Sequence, residues 1–340
     1  MPNCHVPAVQ RLPLEILESI IALTGDWELA TTLHISTQIP FNAVWWQATE
    51  LDWAILSSSL LRVKAVVENN NNKSSLGLSQ WGARVMIRFG YVEMLSYLYS
   101  HPKTQNQVKT VCGPFLASIA SAWGRVPVLE WAKEYFYSDE ITRDLITEEA
   151  IDEASRHGQI AVLDWWKSAI ELHPLKYSEN ALSSATVKEE IPILNWWKSS
   201  NLPLKIGNVL DFASMARSTS SLEWWSKQSG LLAPKYSKAA LYSLSCSGNI
   251  SKLDWWLNQN RFPLLYDKEV LIAATKYGQV ESLQWWKDSK LEIEYRLFDI
   301  EAALEDAVAN DQETLKWWAE NGYQDSAGIT DWMRNRKLGL

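Results

Sequence analysis

The stretch TEEAIDEASRHGQIAVLDWWKSAIE, residues 147–171, contains the motif that decides the fold of this 340-residue chain. A leucine is followed, two residues later, by a pair of tryptophans, and this motif recurs in steps of 28 to 34 residues. A period of this length predicts a stack of supersecondary units and not a single-core enzyme fold. Two degraded copies come first, Leu95/Tyr97/Leu98 and Leu129/Trp131/Ala132. The six full copies are Leu163, Trp165, Trp166; Leu194, Trp196, Trp197; Leu222, Trp224, Trp225; Leu253, Trp255, Trp256; Leu283, Trp285, Trp286; and Leu315, Trp317, Trp318.

Two further columns keep register with the tryptophans. Eighteen residues before the first aromatic residue stand side chains that can cap a helix, or a tolerated glycine: Ser79, Gly113, Thr147, Ser178, Ser237, Asp267 and Asp299. Eleven residues later come residues suited to a left-handed helix end, with Glu189 as the exception: Gly90, Gly124, Gly158, Gly248, Gly278 and Asn310. Each unit is therefore predicted to be a capped helix, a tight turn and a second helix that carries the tryptophans. The Trp224 copy departs from the cap column, and Gly207-Asn208 is expected to supply its cap.

The tryptophan pair is expected to lie in the core of the array. On the second helix, Ile160, Leu163 and Trp166 share one face, while Trp165 projects roughly 100° away. One indole should pack on the first helix of its own unit and the other on a neighbouring unit. Aromatic rows can instead bind sugar rings, choline-like cations or proline-rich peptides. The helical spacing, the leucine pairing and the repetition in every copy favour a structural role for all six leucine and tryptophan sets.

The unit at residues 147–171 resembles an ankyrin repeat, which likewise has a capped helix, a glycine turn and an apolar second helix. Ala120, Ala154, Ala185 and Ala274 match the small residue at the middle of the first helix. The resemblance covers residues 79–322 and implies an all-α, ankyrin-type helical-repeat solenoid of about eight two-helix units that binds proteins. The chain lacks the family's Thr-Pro-Leu-His signature, and most of its periods are shorter than those of ankyrin repeats. Another two-helix solenoid is the alternative.

The amino-terminal residues do not follow the repeat. A proline-opened amphipathic helix starts at Leu12-Pro13 and has Ile16, Leu17 and Ile20 on or near one face. This opening resembles an F-box, although the usual Cys/Ser-Arg/Lys-x-Trp ending of that family is absent. The resemblance implies that these five residues contact a Skp-type subunit of a cullin ubiquitin ligase. The alternative is that the helices only cap the first repeat, because terminal repeats need a cover.

A polar tract that contains four consecutive asparagines separates the two regions and is expected to be an exposed loop. The predicted organisation is an F-box-like segment or cap at residues 1–67, the polar loop at 68–78 and divergent ankyrin-type repeats at 79–322. A C-terminal capping helix and tail are predicted at 323–340. The F-box-like start and the ankyrin-like array together suggest a eukaryotic protein.

Composition excludes several classes of function. The net charge is −8, and no cluster of Lys and Arg suggests nucleic-acid binding. The three cysteines are far apart and match neither a zinc signature nor a disulfide framework, which favours a reducing compartment. The sequence shows no secretory signal and no apolar run long enough for a membrane span. A cytoplasmic or nuclear location is therefore expected.

No catalytic motif stands out. Nucleotide-binding glycine loops, the HExxH zinc motif, the GxSxG nucleophile motif and metal-ligand clusters are all absent from the sequence. We therefore expect no catalytic, metal or cofactor-binding residues. The predicted function is a non-enzymatic protein–protein interaction module. Its preferred form is a substrate-recruiting ubiquitin-ligase adaptor, a plain ankyrin-type scaffold is the alternative, and a tryptophan-lined ligand-binding solenoid is a third possibility.

Overall fold

The computed structural model describes residues 12–69, 77–137, 143–169, 175–306 and 312–321. Helices form the regular structure of these ranges, and no β-strand occurs within them. The predicted fold class, an all-α helical-repeat fold, is confirmed. The expected capping helix at 323–340, the turn residue Asn310 and most of the polar loop at 68–78 lie outside the described residues.

Four α-helices and a 3₁₀ helix at Ala43–Gln47 precede the repeats, and eight helix pairs follow within the described ranges. The first four are α1 (Leu14–Thr24), α2 (Trp27–Thr32), α3 (Glu50–Leu56) and α4 (Leu60–Asn69). The pairs are α5 (Gln80–Phe89) and α6 (Val92–Ser100); α7 (Gly113–Ala122) and α8 (Val126–Trp131); α9 (Glu149–Arg156) and α10 (Ile160–Ser168); α11 (Asn180–Val187) and α12 (Ile191–Ser199); α13 (Val209–Met215) and α14 (Ser220–Ser226); α15 (Ala239–Ser247) and α16 (Ile250–Asn258); α17 (Glu269–Lys276) and α18 (Val280–Asp288); and α19 (Leu297–Glu305) and α20 (Gln312–Glu320).

Packing divides the chain into two compact units. One ends at residue 154 and includes residues 161–177, and the other comprises residues 155–160 and those from 178 onward. In the first unit α3 packs on α5 and α5 on α7, while α4 and α8 both contact α6. In the second unit the first helices of successive pairs, α11 to α19, pack side by side. Within each unit, neighbouring helix pairs thus pack on one another, which is the packing of a repeat protein.

Left-handed turns end the first helices where the sequence predicts them. The φ angles of Gly90, Gly158 and Gly248 are 74°, 72° and 68°. Residues with a Cβ disfavour this conformation, whereas glycine adopts it readily. Glu189, the exception in the column, has φ of 59° and therefore makes the same turn with a side chain.

A lysine replaces the glycine turn at the end of α13. The buried Lys252 amine donates hydrogen bonds to the carbonyl of Ser214 at 2.9 Å and to that of Ala216. Burial lowers the pKa of Lys252, and the charge of Glu189 opposes this shift. Two carbonyls at the end of α13 are thus bonded by a side chain from the following helix pair.

Most of the predicted caps bond backbone N–H groups. The Ser79 hydroxyl accepts from Trp81 N at 3.1 Å and caps α5 as predicted. Three other caps lie two residues before their helices, with one turn residue between. They are Ser178, Ser237 and Asp267, and they accept from the first N–H of α11, α15 and α17 at 3.0–3.1 Å. The cap residue of α13 is Asn208, as predicted, but its side chain makes no cap bond.

Two predicted caps are wrong. Gly113 is the first residue of α7 and not a cap before it, because a π-helical turn at Val108–Cys112 leads directly into the helix. Its small size serves packing instead, since a Cβ there would lie 2.7 Å from Leu145 Cδ1. Asp299 is the third residue of α19, where its carboxylate accepts from Arg296 N at 3.3 Å.

The second tryptophan of each full copy donates its indole N–H to the preceding helix pair. The acceptor is a Ser or Thr hydroxyl on the first helix of that pair, at 2.9–3.0 Å. All six of these tryptophans are buried. The bonds are Trp166 to Ser121, Trp197 to Ser155, Trp225 to Thr186, Trp256 to Ser214, Trp286 to Ser245 and Trp318 to Thr275. We call this series the hydroxyl ladder.

The sequence carries the signature of the hydroxyl ladder. Every acceptor lies ten residues before the first aromatic residue of its own copy. Ile87 occupies this column in the first pair, and the copy that follows has Ala132 in place of the second tryptophan. A hydroxyl is therefore present where the next pair supplies an indole donor and absent where it does not.

The first tryptophans form a parallel series. Their indole N–H groups donate to the residue that immediately precedes the tryptophan pair of the preceding copy, at 2.5–2.9 Å. The bonds in four copies are Trp165 to Glu130, Trp224 to Asn195, Trp285 to Asp254 and Trp317 to Gln284. In these four copies both indole N–H groups thus donate to the preceding copy, which the sequence analysis did not predict. The two rings of each pair meet edge to face, with centroids 4.8–5.5 Å apart.

Thr186→Val should destabilise the protein by about 1–3 kcal/mol, because it leaves the buried Trp225 N–H without an acceptor. The Thr186 hydroxyl also donates to the Leu182 carbonyl at 2.7 Å. Thr31→Val is the control, because the Thr31 hydroxyl bonds a carbonyl of its own helix at 2.8 Å and no indole. Urea denaturation followed by circular dichroism should show the larger loss for Thr186→Val.

A double-mutant cycle separates the indole bond from the carbonyl bond. In the Trp225→Phe background, Thr186→Val should lower the free energy of unfolding by less than in the wild type, since no indole N–H remains to lose its acceptor. Equal losses in both backgrounds would contradict a stabilising role for the hydroxyl ladder.

Candidate partner-binding surface

The local sequence determines where α1 begins and ends. Pro13 precedes its first residue, a position where the missing N–H of proline has no consequence. Gly25 ends it with φ of 66° and donates its N–H to the Ile21 carbonyl at 2.9 Å. Asp26 then caps α2 by accepting from Leu29 N at 3.0 Å. Hydrogen bonds at the end of α1 and at the start of α2 thus hold the turn between these two helices.

α1 leaves most of its apolar side chains in solvent. Ile21 is its one buried residue, and Leu17 is half-buried. The other predicted contact residues are exposed, Leu12 to 52% of its surface. These exposed residues are Leu12, Pro13, Ile16 and Ile20.

One exposed leucine extends this surface beyond the predicted set. Leu23 is 88% exposed and lies three residues after Ile20, so helical spacing could have identified it from the sequence. Leu14 is also exposed, but helical spacing places it on the side of Ile21, seven residues later. We define the α1 face as Leu12, Ile16, Ile20 and Leu23.

Arg88 of α5 fixes α2 to the first repeat. Its guanidinium bonds Glu28 at 2.8 Å and also Asp26, and it lies 4.2 Å over the Trp123 ring. The Arg125 side chain donates to the Arg88 carbonyl at 2.6 Å. Burial and the neighbouring Arg88 cation lower the pKa of Arg125. The base from which α1 projects is therefore held by the array.

α3 and α4 occupy the place of a preceding helix pair. Asp52 is fully buried and accepts from Ser79 N at 3.0 Å, next to the start of α5. A Cβ at Gly82 of α5 would lie 2.3 Å from the Asp52 carboxylate, so α3 and α5 approach too closely for any side chain there. The capping contacts with the first repeat are thus made by α3 and α4, and α1 is not needed for them.

The array exposes apolar side chains chiefly on its first helices. Phe212 and Met215 of α13 and Tyr242 of α15 are exposed, and Tyr277 follows the end of α17. The predicted core residues lie inward by contrast. All the second tryptophans are buried, and the first tryptophans are buried or half-buried.

Other kinds of site are not found among the described residues. No group of three His, Cys, Asp or Glu side chains there could hold a metal ion. No helix in the described ranges is long and apolar enough to cross a membrane. No model of a protein family matches the chain, and no curated protein matches its sequence.

Arg88→Met should loosen α2, because it removes the partner of Asp26 and Glu28 while it keeps an apolar stem. We expect amide hydrogen exchange in α2 to become about tenfold faster, equivalent to about 1.4 kcal/mol of local stability. Arg84→Met, one turn earlier on the exposed side of α5, is the matched control. Equal exchange in the two variants would show that the Arg88 ion pairs do not hold α2.

Proposed function

We propose that the chain is a non-enzymatic adaptor that binds one protein through the α1 face and a second protein through its helical repeats. The observation that carries this proposal is the exposure of the α1 face, which contains four large apolar side chains. Contiguous exposed apolar surface on a soluble protein typically marks a binding site. A helix whose role was to cover the first repeat would bury this face.

The F-box-like opening specifies the first partner in this proposal. It is a Skp-type subunit of a cullin ubiquitin ligase, contacted by Leu12, Pro13, Ile16 and Ile20, with Leu17 at the edge of the contact. The repeats, divergent ankyrin-type units in this interpretation, then recruit the substrate protein. Such an adaptor would act in the cytoplasm or the nucleus of a eukaryotic cell.

The packing of α3 and α4 supports an adaptor over a plain scaffold. α3 makes the contacts that a cap requires through Asp52, which bonds Ser79 N and lies against Gly82 of α5, and α4 contacts α6. α1 is left outside those contacts, attached by Ile21 and by the turn to α2. The third possibility, a tryptophan-lined ligand site, is disfavoured because the second tryptophans are buried and both indole N–H series are bonded within the protein.

Capture of a purified Skp-type subunit tests the proposal. The wild-type chain should bind it, and Leu12→Asp/Ile16→Asp should bind at least about tenfold more weakly, because charge replaces the apolar anchors. Leu297→Asp is the matched control, since Leu297 is 51% exposed and lies far along the sequence on α19. Circular dichroism should show equal folding of all three proteins.

Two outcomes would contradict this function. If the wild-type chain captures no subunit and the double variant unfolds at lower temperature, α1 is a cap and the chain is a scaffold. If the double variant and the wild-type chain capture the subunit equally, the α1 face is not the contact.

A further inference from the structure

A second surface near the amino terminus is built from aromatic rings. Phe41 lies at its centre, with ring centroids 5.0 Å from Trp27, 5.1 Å from Trp46 and 6.2 Å from Trp53. Trp45 packs beneath, 5.4 Å from Trp53, and is fully buried. We call these five residues the aromatic cluster.

The outer rings of the aromatic cluster face solvent. Trp46 is 80% exposed, and Phe41 and Trp53 are each exposed to more than a third of their surface. The Trp45 N–H donates to Glu28 at 3.0 Å, which fixes the inner ring. The cluster thus presents ring faces from a rigid base, and none of its members belongs to the α1 face.

The charge of the surrounding chain has one sign. Residues 12–61 contain six carboxylates and no Lys or Arg. Arg88 offsets part of the charge of Asp26 and Glu28, and Asp52 is buried against backbone N–H groups. Exposed Glu50 precedes Trp53 by three residues on α3, so the two share a helix face. Within the described part of the chain, Glu50 forms no ion pair.

We propose that the aromatic cluster binds an Arg or Lys side chain of a partner protein, held over the faces of Trp46 and Phe41 and paired with Glu50. A cation is attracted to the negative face of an aromatic ring, most strongly to that of Trp. The apolar stem of Arg or Lys can lie along the same rings. A carboxylate near the rings and the excess of carboxylates in residues 12–61 add electrostatic complementarity. This inference does not depend on the adaptor proposal.

Binding of a fluorescent peptide of repeated Gly-Ser-Arg to the full chain tests the inference. Fluorescence anisotropy should detect binding of this peptide and none of its Gly-Ser-Glu counterpart. Trp46→Leu keeps an apolar side chain and the charge of the protein, yet should weaken binding about fivefold or more, because the ring face is lost. Trp46→Phe should bind more tightly than Trp46→Leu, since it restores a ring.

Glu50→Gln tests the ion pair separately. It should weaken binding at low salt, and the difference from the wild type should shrink at high salt, where charges are screened. Tyr135→Leu is the control for an exposed aromatic residue elsewhere, and Glu223→Gln is the control for an exposed carboxylate elsewhere. Both should bind as the wild type does.

The proposal is overturned if Trp46→Leu binds the Arg peptide as tightly as the wild type and the Tyr135→Leu control. That result would mean that the peptide is attracted only by the net charge of the protein. Because the peptide is measured without any Skp-type subunit, failure of subunit capture leaves this test unaffected. Circular dichroism of Trp46→Leu and Glu50→Gln keeps a folding defect distinguishable from a lost contact.

Discussion

The hydrogen bond from the second tryptophan of one helix pair to a hydroxyl of the preceding pair is the constraint on which the repeats depend. An indole N–H buried without an acceptor destabilises a protein, and a repeat that buried its tryptophan against an apolar neighbour would incur that penalty. The hydroxyls of Thr186, Ser214, Ser245 and Thr275 each donate onward to a carbonyl one turn earlier in their own helix. Indole, hydroxyl and carbonyl therefore form a bonded series, and it fixes the register of one helix pair on the next.

The packing of the repeats does not use the α1 face or the aromatic cluster, so both surfaces remain available for binding. The aromatic content of the array is used for packing, since its tryptophans are largely buried and hydrogen-bonded to neighbouring pairs. The rings near Phe41 are different, because the cluster packs ring on ring and leaves Trp46 in solvent. Aromatic residues thus have two roles in this chain: the buried ones pack the repeats, and the exposed ones near Phe41 form a surface. Arg88 ties α2, the helix after α1, to the first repeat, and Asp52 ties α3, which carries Trp53 of the aromatic cluster.

The repeat fold was predictable because its signals recur. The motif period, the glycine turns and most caps were each seen several times, so one exception could not obscure them. The two wrong caps have local causes that one sequence does not reveal: the π-helical turn before Gly113 and the earlier start of α19 at Leu297. The partner of each indole was also missed, although the column of hydroxyls was visible in the sequence. The sequence also did not show that α3 and α4 cap the first repeat while α1 stays exposed. That arrangement depends on close packing at Gly82, which residue spacing alone cannot predict.

The direction of the hydroxyl ladder has a consequence for how such a chain can change in length. Each block that runs from the start of a first helix to the end of its second helix contains one acceptor for the block after it and one donor for the block before it. A duplication or deletion of a whole block therefore leaves every indole with an acceptor. A deletion of only one helix of a pair strands either an indole donor or a hydroxyl acceptor. At the amino-terminal end, Ile87 and Ala132 occupy the acceptor and donor columns. The series therefore stops there without an unpaired indole, and growth by whole blocks is favoured downstream of that point.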